Sequence, residues 1–292
     1  MPVRTRIVLP WLLSLLSLAV SLPAHQAPLA PAEGIADGLA LHRFEDPALL
    51  TPPGPVAVQA LRLDPRKMTL EIARAEGQPA RETVETLAAR HPGAIAAINA
   101  GFFSLQTGAP TAFLKVDGKI VSGTSRPRGA VAIVDRAGVT SLLFDRLTVS
   151  SRGRPSYKTL LGSSPRDWAR APHGISGAGL LLHNGRELTE WTDEKIAAGF
   201  DTTRHPRTLI GSDAQGAIWL VTVDGRNPSL SLGMSFTELQ GLAKRLGLRS
   251  VLNLDGGGST TMWVHGKLVN HPSDPGGARK VSDAIVVVPR TR

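Results

Sequence analysis

The run R-S-V-L-N-L-D-G-G-G-S-T-T, Arg249 to Thr261, passes from apolar strand to glycine turn without a spacer. Arg249 to Leu254 reads as a buried strand that delivers Asp255 at its end. Upstream, Ser235 and Glu238 make an S-x-x-E capping box, and Phe236, Leu239, Leu242, Ala243 and Leu246 share one helical face that Gly247 terminates. The local order is therefore helix, buried strand, glycine loop. Gly256, Gly257 and Gly258 have no packing use in this reading; they let backbone N–H groups close around an anion, with hydroxyls added by Ser259, Thr260 and Thr261. No G-x-G-x-x-G spacing and no P-loop lysine follow, which argues against nucleotide binding. A plain glycine turn is the competing reading.

Working outward, the same order recurs. Val84, Leu87, Ala88 and His91 fall at helical spacing until Pro92-Gly93, and Ala94 to Ile98 then reads as a buried strand leading to Asn99 and Gly101. Thr111 to Val121 and Thr261 to Val269 follow the two loops, one containing Asp117-Gly118-Lys119 and the other His265-Gly266-Lys267. Two related halves around a common cleft would bring the glycine loops together; chance similarity competes. Further strands are expected at 38–43, 56–63, 68–73, 113–116, 130–134, 139–144, 179–183, 208–211, 217–223 and 284–288. The expected class is α+β, with mixed or antiparallel sheets and a few packed helices.

The 292 residues suffice for one large domain or two small ones. An excess of 33 Lys and Arg over 24 Asp and Glu, net +9, favours an anionic partner. Aromatic content of 4% with a single Tyr argues against a nucleic-acid stacking platform. The absence of cysteine excludes disulfides, thiolate zinc and a thiol nucleophile. Arg4 and Arg6 precede the uncharged run Ile7 to Leu22, the shape of a signal peptide; an uncleaved anchor is the alternative. The expected organisation is a signal peptide at 1–24, a proline-rich linker at 25–37 and a catalytic domain at 38–292. The expected location is periplasmic or secreted, with no membrane span left after cleavage.

Arg207, in H-P-R-T, and Arg226, in V-D-G-R, could fork onto a phosphate; solvated surface charge is the alternative. Phe102 and Phe103 fit a core better than a sugar platform. His173 and His205 could exchange protons, although a histidine before proline is usually structural. Metal binding is weakly supported, with no H-x-H, H-E-x-x-H or EF-hand pattern, and no metal or cofactor is expected.

Together, I-N-A-G-F-F (98–103), H-P-R-T (205–208), V-D-G-R (223–226), N-L-D-G-G-G-S-T-T-M (253–262) and the tail through P-S-D (272–274) and V-S-D-A-I-V-V (281–287) resemble the phosphodiester glycosidase family. The second residue of Asn99-Ala100-Gly101, often glycine in that family, is a departure. The resemblance implies hydrolysis of a sugar-1-phosphodiester at the sugar C1–O bond. It further implies Asp255 as principal carboxylate and Asp224 as second, with Arg207 and Arg226 clamping phosphate and Asn99 and Asn253 orienting sugar hydroxyls. Gly101, Thr208, Gly256, Gly257, Gly258, Ser259 and Thr260 complete the implied substrate contacts. The expected partner is an anionic sugar phosphate or a phosphodiester-linked glycan. A phosphodiesterase cutting P–O and a glycan-binding protein without turnover remain alternatives.

Overall fold

The computed structural model describes residues 31–150 and 155–291. Nineteen strands and three short α-helices form among them. All strand pairs are antiparallel, in sheets of eight, six and five strands. The α+β expectation is therefore corrected: the protein is mainly β. The signal-peptide expectation lies outside the described residues. Glu33–Ala36, inside the stretch expected to be linker, pairs as an edge strand with Leu39–Phe44.

The three sheets share one core, and the two faces of each strand show how. Leu220, Ile210 and Leu252 of the eight-stranded sheet join Ile98, Ile285 and Val287 of the five-stranded sheet and Val131, Ile133 and Ile175 of the six-stranded sheet. Alternate residues point outward, as the two-residue period of a strand requires. Leu209, Val221 and Val251 pack under helix Phe236–Arg245; Ala97, Ala284 and Val286 pack under helix Val84–Arg90; Ala130 and Ala132 pack against Trp168 of helix Pro165–Arg170. Burying side chains such as Phe236, Leu239 and Leu242 is worth roughly 1.5–3 kcal/mol each. Strands covered on both faces read as apolar runs, the pattern of a helix-sandwiched sheet, which is why the class was misread.

Turn chemistry explains much of the antiparallel pairing. Asp117-Gly118, Ala137-Gly138, Asn184-Gly185 and His265-Gly266 all hold positive φ at both residues, as two-residue hairpins with the right twist demand. Helix Phe236–Arg245 starts with the full capping box between Ser235 and Glu238.

The related halves do not form either. In the first unit, strand Ala96–Asn99 lies in the five-stranded sheet, and its hairpin, Leu114–Val116 with Lys119–Ser122, lies in the six-stranded sheet. In the second unit, strand Leu248–Asn253 lies in the eight-stranded sheet, and its hairpin, Met262–Val264 with Lys267–Leu268, lies in the five-stranded sheet. Each glycine loop is thus a crossing from one sheet to the next, and the two loops cross beside one another.

Candidate active site

The crossing loops are bonded together. Asp255 N–H donates to Ala100 O at 2.9 Å, and Asn99 Nδ2 donates to Asp255 O at 2.7 Å. Asn99 Oδ1 accepts from the Thr208 hydroxyl at 2.7 Å and from Thr261 N–H at 3.1 Å. Asn99 and Thr208 are fully buried, with their hydrogen bonds spent on joining three strand ends. They hold the site rather than face a sugar. Asn253 is buried too; its Nδ2 serves Ala178 O and Leu254 O, whereas its Oδ1 has no partner.

The glycines have packing reasons that the sequence reading denied them. A Cβ on Gly256 would sit 2.5 Å from Pro206 O, and one on Gly258 would sit 2.0 Å from Asp274 Oδ1 and 2.2 Å from Arg279 Nη2. The backbone contact leaves no room for a side chain at Gly256, whereas at Gly258 the Asp274–Arg279 ion pair would have to move aside. The anion nest is also largely closed. Gly257 N–H donates to Pro206 O, Ser259 N–H to Gly256 O, Thr260 N–H to Gly257 O and Gly256 N–H to Asp255 Oδ1. The hydroxyls of Ser259, Thr260 and Thr261 are buried with no hydrogen-bond partner of normal geometry, an unusual concentration of unspent polar capacity.

Two carboxyl groups meet here. Asp255, partly buried, is pushed up to about 7, first by burial and further by the charge of Asp283; the Ser259 hydroxyl, Gly256 N–H and Arg279 oppose the shift. Asp283 opens strand Asp283–Pro289 and is 1% exposed. Its Oδ1 accepts from Gly101 N–H at 2.6 Å and its Oδ2 from the Ser282 hydroxyl. Burial pushes its acidity in the same direction, only partly offset by Ser282, Gly101 and Arg74. The charge of Asp283 adds to the raised proton affinity that burial gives Asp255, and buried carboxyl groups perturbed in this way are frequent at catalytic sites.

The expected second carboxylate is elsewhere. Asp224, 1% exposed, accepts from Asn270 Nδ2 at 2.9 Å, His271 N–H at 3.0 Å and Gln59 Nε2 at 3.3 Å. Burial raises its proton affinity against those hydrogen bonds. Asp283 was missed, yet it had a signal: an acid opening the apolar run Ala284 to Val288, the mirror of Asp255 closing one.

The two arginines part company. Arg207 is 0% exposed, with Nε on Met234 O at 2.8 Å and Nη2 on Phe200 O at 2.6 Å and Thr203 O at 2.9 Å. Its guanidinium lies between the rings of Phe200 and Phe236, 4.5 and 4.9 Å from their centroids. Burial brings it down to about 10. The residue expected to clamp phosphate thus has Nε and Nη2 spent on backbone carbonyls, while its buried Nη1 has no hydrogen-bond partner. Arg226 is exposed, at φ 62°, and its Nη2 lies 2.9 Å from where a Cβ on Gly257 would be. His205 stacks on Phe200 at 5.9 Å; burial, then the charges of Arg207 and Arg226, hold its proton affinity down. Phe102, partly exposed, meets Phe200 edge-on at 6.3 Å, whereas Phe103 packs against the core over helix Val84–Arg90. Among the described residues, no group of three or more His, Cys, Asp or Glu is arranged to hold a metal ion, and no helix is long and apolar enough to cross a membrane.

Comparison with known proteins gives this geometry a context. The phosphodiester glycosidase family model matches residues 92–288, more than half of the chain. The N-acetylglucosamine-1-phosphodiester alpha-N-acetylglucosaminidase of Mus musculus is 28% identical over 208 residues, covering 68% of this chain and 37% of that protein. The chain thus spans little more than a third of that relative's length. Among solved structures, a Synechocystis protein superposes with TM-score 0.73 at 21% identity, over 90% of this chain and 64% of that one. The catalytic domain of the zebrafish N-acetylglucosamine-1-phosphodiester alpha-N-acetylglucosaminidase, auto-inhibited by its pro-peptide, superposes with TM-score 0.68 at 23% identity, over 90% and 87% of the two chains. At these identities the structural matches speak for the fold.

Proposed function

The chain belongs to the phosphodiester glycosidase family, and from that premise we propose that it hydrolyses sugar-1-phosphodiesters at the sugar C1–O bond, with Asp255 and Asp283 as the reacting carboxyl pair. The observation that carries this reading is that two buried carboxyl groups are held on neighbouring residues of one crossing loop, Asp255 through its N–H on Ala100 O and Asp283 through its Oδ1 on Gly101 N–H. As the C1–O bond breaks, its electron pair leaves with the phosphate oxygen. Water supplies hydroxide to C1, and its proton passes to a carboxylate. A phosphate ester is a good leaving group, so the carboxylate's work is to activate water or stabilise the oxocarbenium-like transition state. Hydrolysis of an N-acetylglucosamine-1-phosphodiester in ¹⁸O-water tests the bond cleaved. Label in the sugar is expected; label in the phosphate would establish P–O cleavage, and no turnover would favour a binding protein.

The pair also sets a pH dependence. With Asp255 ionising near 7 and the carboxylate as the reacting form, kcat/KM should rise with pH through that range. Asp283→Asn removes a like charge, so the midpoint of whatever activity remains should fall. A pH–rate profile of the two proteins checks this, and a midpoint that stays or rises would separate Asp283 from Asp255. The proposal includes export: a mature chain beginning near His25 is the expected result of N-terminal sequencing, and a chain still starting at Met1 would overturn it.

A further inference from the structure

The groups expected to hold phosphate are mostly spent inside the protein, Arg207 Nε and Nη2 on three carbonyls and the loop amides on Pro206 O, Asp255 Oδ1 and one another, with the buried Arg207 Nη1 left over. Cations that remain open at the same junction are therefore informative. Asp224 marks one. Besides Asn270, Gln59 and the backbone of His271, its carboxylate meets His271 Nδ1 at 3.4 Å. Asn270 accepts from Met262 N–H at 2.7 Å and donates to Thr260 O at 3.1 Å, which rivets the 270–271 segment to the glycine loop. The imidazole itself is outside, with 70% of its side chain exposed beside a carboxylate that is 1% exposed.

A carboxylate taken out of water is costly unless it is paired. The hydrogen bonds on Asp224 offset part of that cost, and the ring it faces is the one group among its partners that can become a cation. With Nδ1 turned to Asp224, Nε2 is left to face a ligand. Arg226, two residues along the same loop, lays its exposed guanidinium over Gly257. The 224–226 loop, the glycine loop and the 270–271 segment thus converge with two open basic side chains.

We infer that His271, positioned by Asp224, binds the phosphate group of the substrate together with Arg226. This rests on the hydrolytic reading above and deepens it. When the C1–O bond breaks, negative charge on the phosphate grows, so a cation placed there stabilises the transition state and the product more than the substrate. Asp224 is then a positioning residue, which accounts for its burial out of reach of any ligand.

The test uses inorganic phosphate as the probe and the whole protein. On titration, the His271 ring resonance, assigned by its loss in His271→Gln, should shift, and the phosphate Kd should rise at least 5-fold in His271→Gln and in Arg226→Gln. His271→Lys places a cation at that position and should recover part of that binding, which a merely structural histidine would not. Asp224→Asn should weaken phosphate binding; if that variant does not fold, the His271 pair decides. With an N-acetylglucosamine-1-phosphodiester as substrate, His271→Gln should raise KM and lower kcat. A His271 resonance unmoved by phosphate, or an unchanged Kd in His271→Gln, overturns the inference. Phosphate binding at His271 in a wild-type protein that hydrolyses no sugar phosphodiester would uphold it while overturning the hydrolytic reading.

Discussion

Asp255→Asn should lower kcat on a sugar-1-phosphodiester by at least ~10²-fold while leaving the melting temperature at pH 8 unchanged or raised. The rate follows from loss of the carboxylate; the stability follows from linkage. Burial raises the folded-state proton affinity of Asp255 to about 7, above the ordinary carboxylate value. Its favourable contribution is therefore complete only at pH below the unfolded value, and is lost as pH rises through the folded one. At pH 8 the native protein holds an ionised carboxylate against burial and against Asp283, and asparagine removes that cost. The hydrogen bond that Asp255 Oδ1 accepts from Gly256 N–H can be kept by the amide oxygen. A simple cap on the glycine turn would give the opposite result, a lower melting temperature with turnover intact. Turnover and thermal melts on the same samples at pH 5 and pH 8 separate the two.

Arg207→Met should act on stability, by about 3 kcal/mol or more. The thioether fills part of the space between Phe200 and Phe236 but leaves the carbonyls of Phe200 and Thr203 without the Nη2 donor and Met234 O with only His205 N–H at 3.4 Å, and each buried unsatisfied group costs about 1–3 kcal/mol. For a chain of this size such a loss lowers the melting temperature by on the order of 5–10 °C. Phosphate affinity should follow the folded fraction and nothing more. An Arg207→Met protein that melts like wild type yet fails to bind phosphate would return Arg207 to the clamp.

The contrast between the arginines shows where sequence reasoning reached its limit. Arg207 and Arg226 sit in equally suggestive motifs at the same ends of adjacent strands. One is drawn under the Phe200–Thr203 segment, and the other remains on a left-handed turn in solvent. Only Thr203 among the partners of Arg207 lies within four residues of it; Phe200 and Met234 come from farther along the chain, where the motif gives no sign of them. The same holds for Asn99 and Thr208, which are occupied with each other.

What the sequence determined by itself is the local order: the capped helix Phe236–Arg245, the two-residue hairpin turns, most strand segments, and Asp255 at the mouth of a glycine loop. These depend on side-chain period, capping and backbone conformation, all decided within a few residues. Only the tertiary structure decided that the strands form three antiparallel sheets around one core, that the loops are crossings between sheets, and that the charge of Asp283 rather than Asp224 acts on Asp255. A strand buried on both faces looks the same whichever neighbours cover it, and an acid at a strand end looks the same whether it meets another acid or a histidine. Pairing across sheets is settled by how whole surfaces fit, and that information is spread over the chain rather than written at any one position.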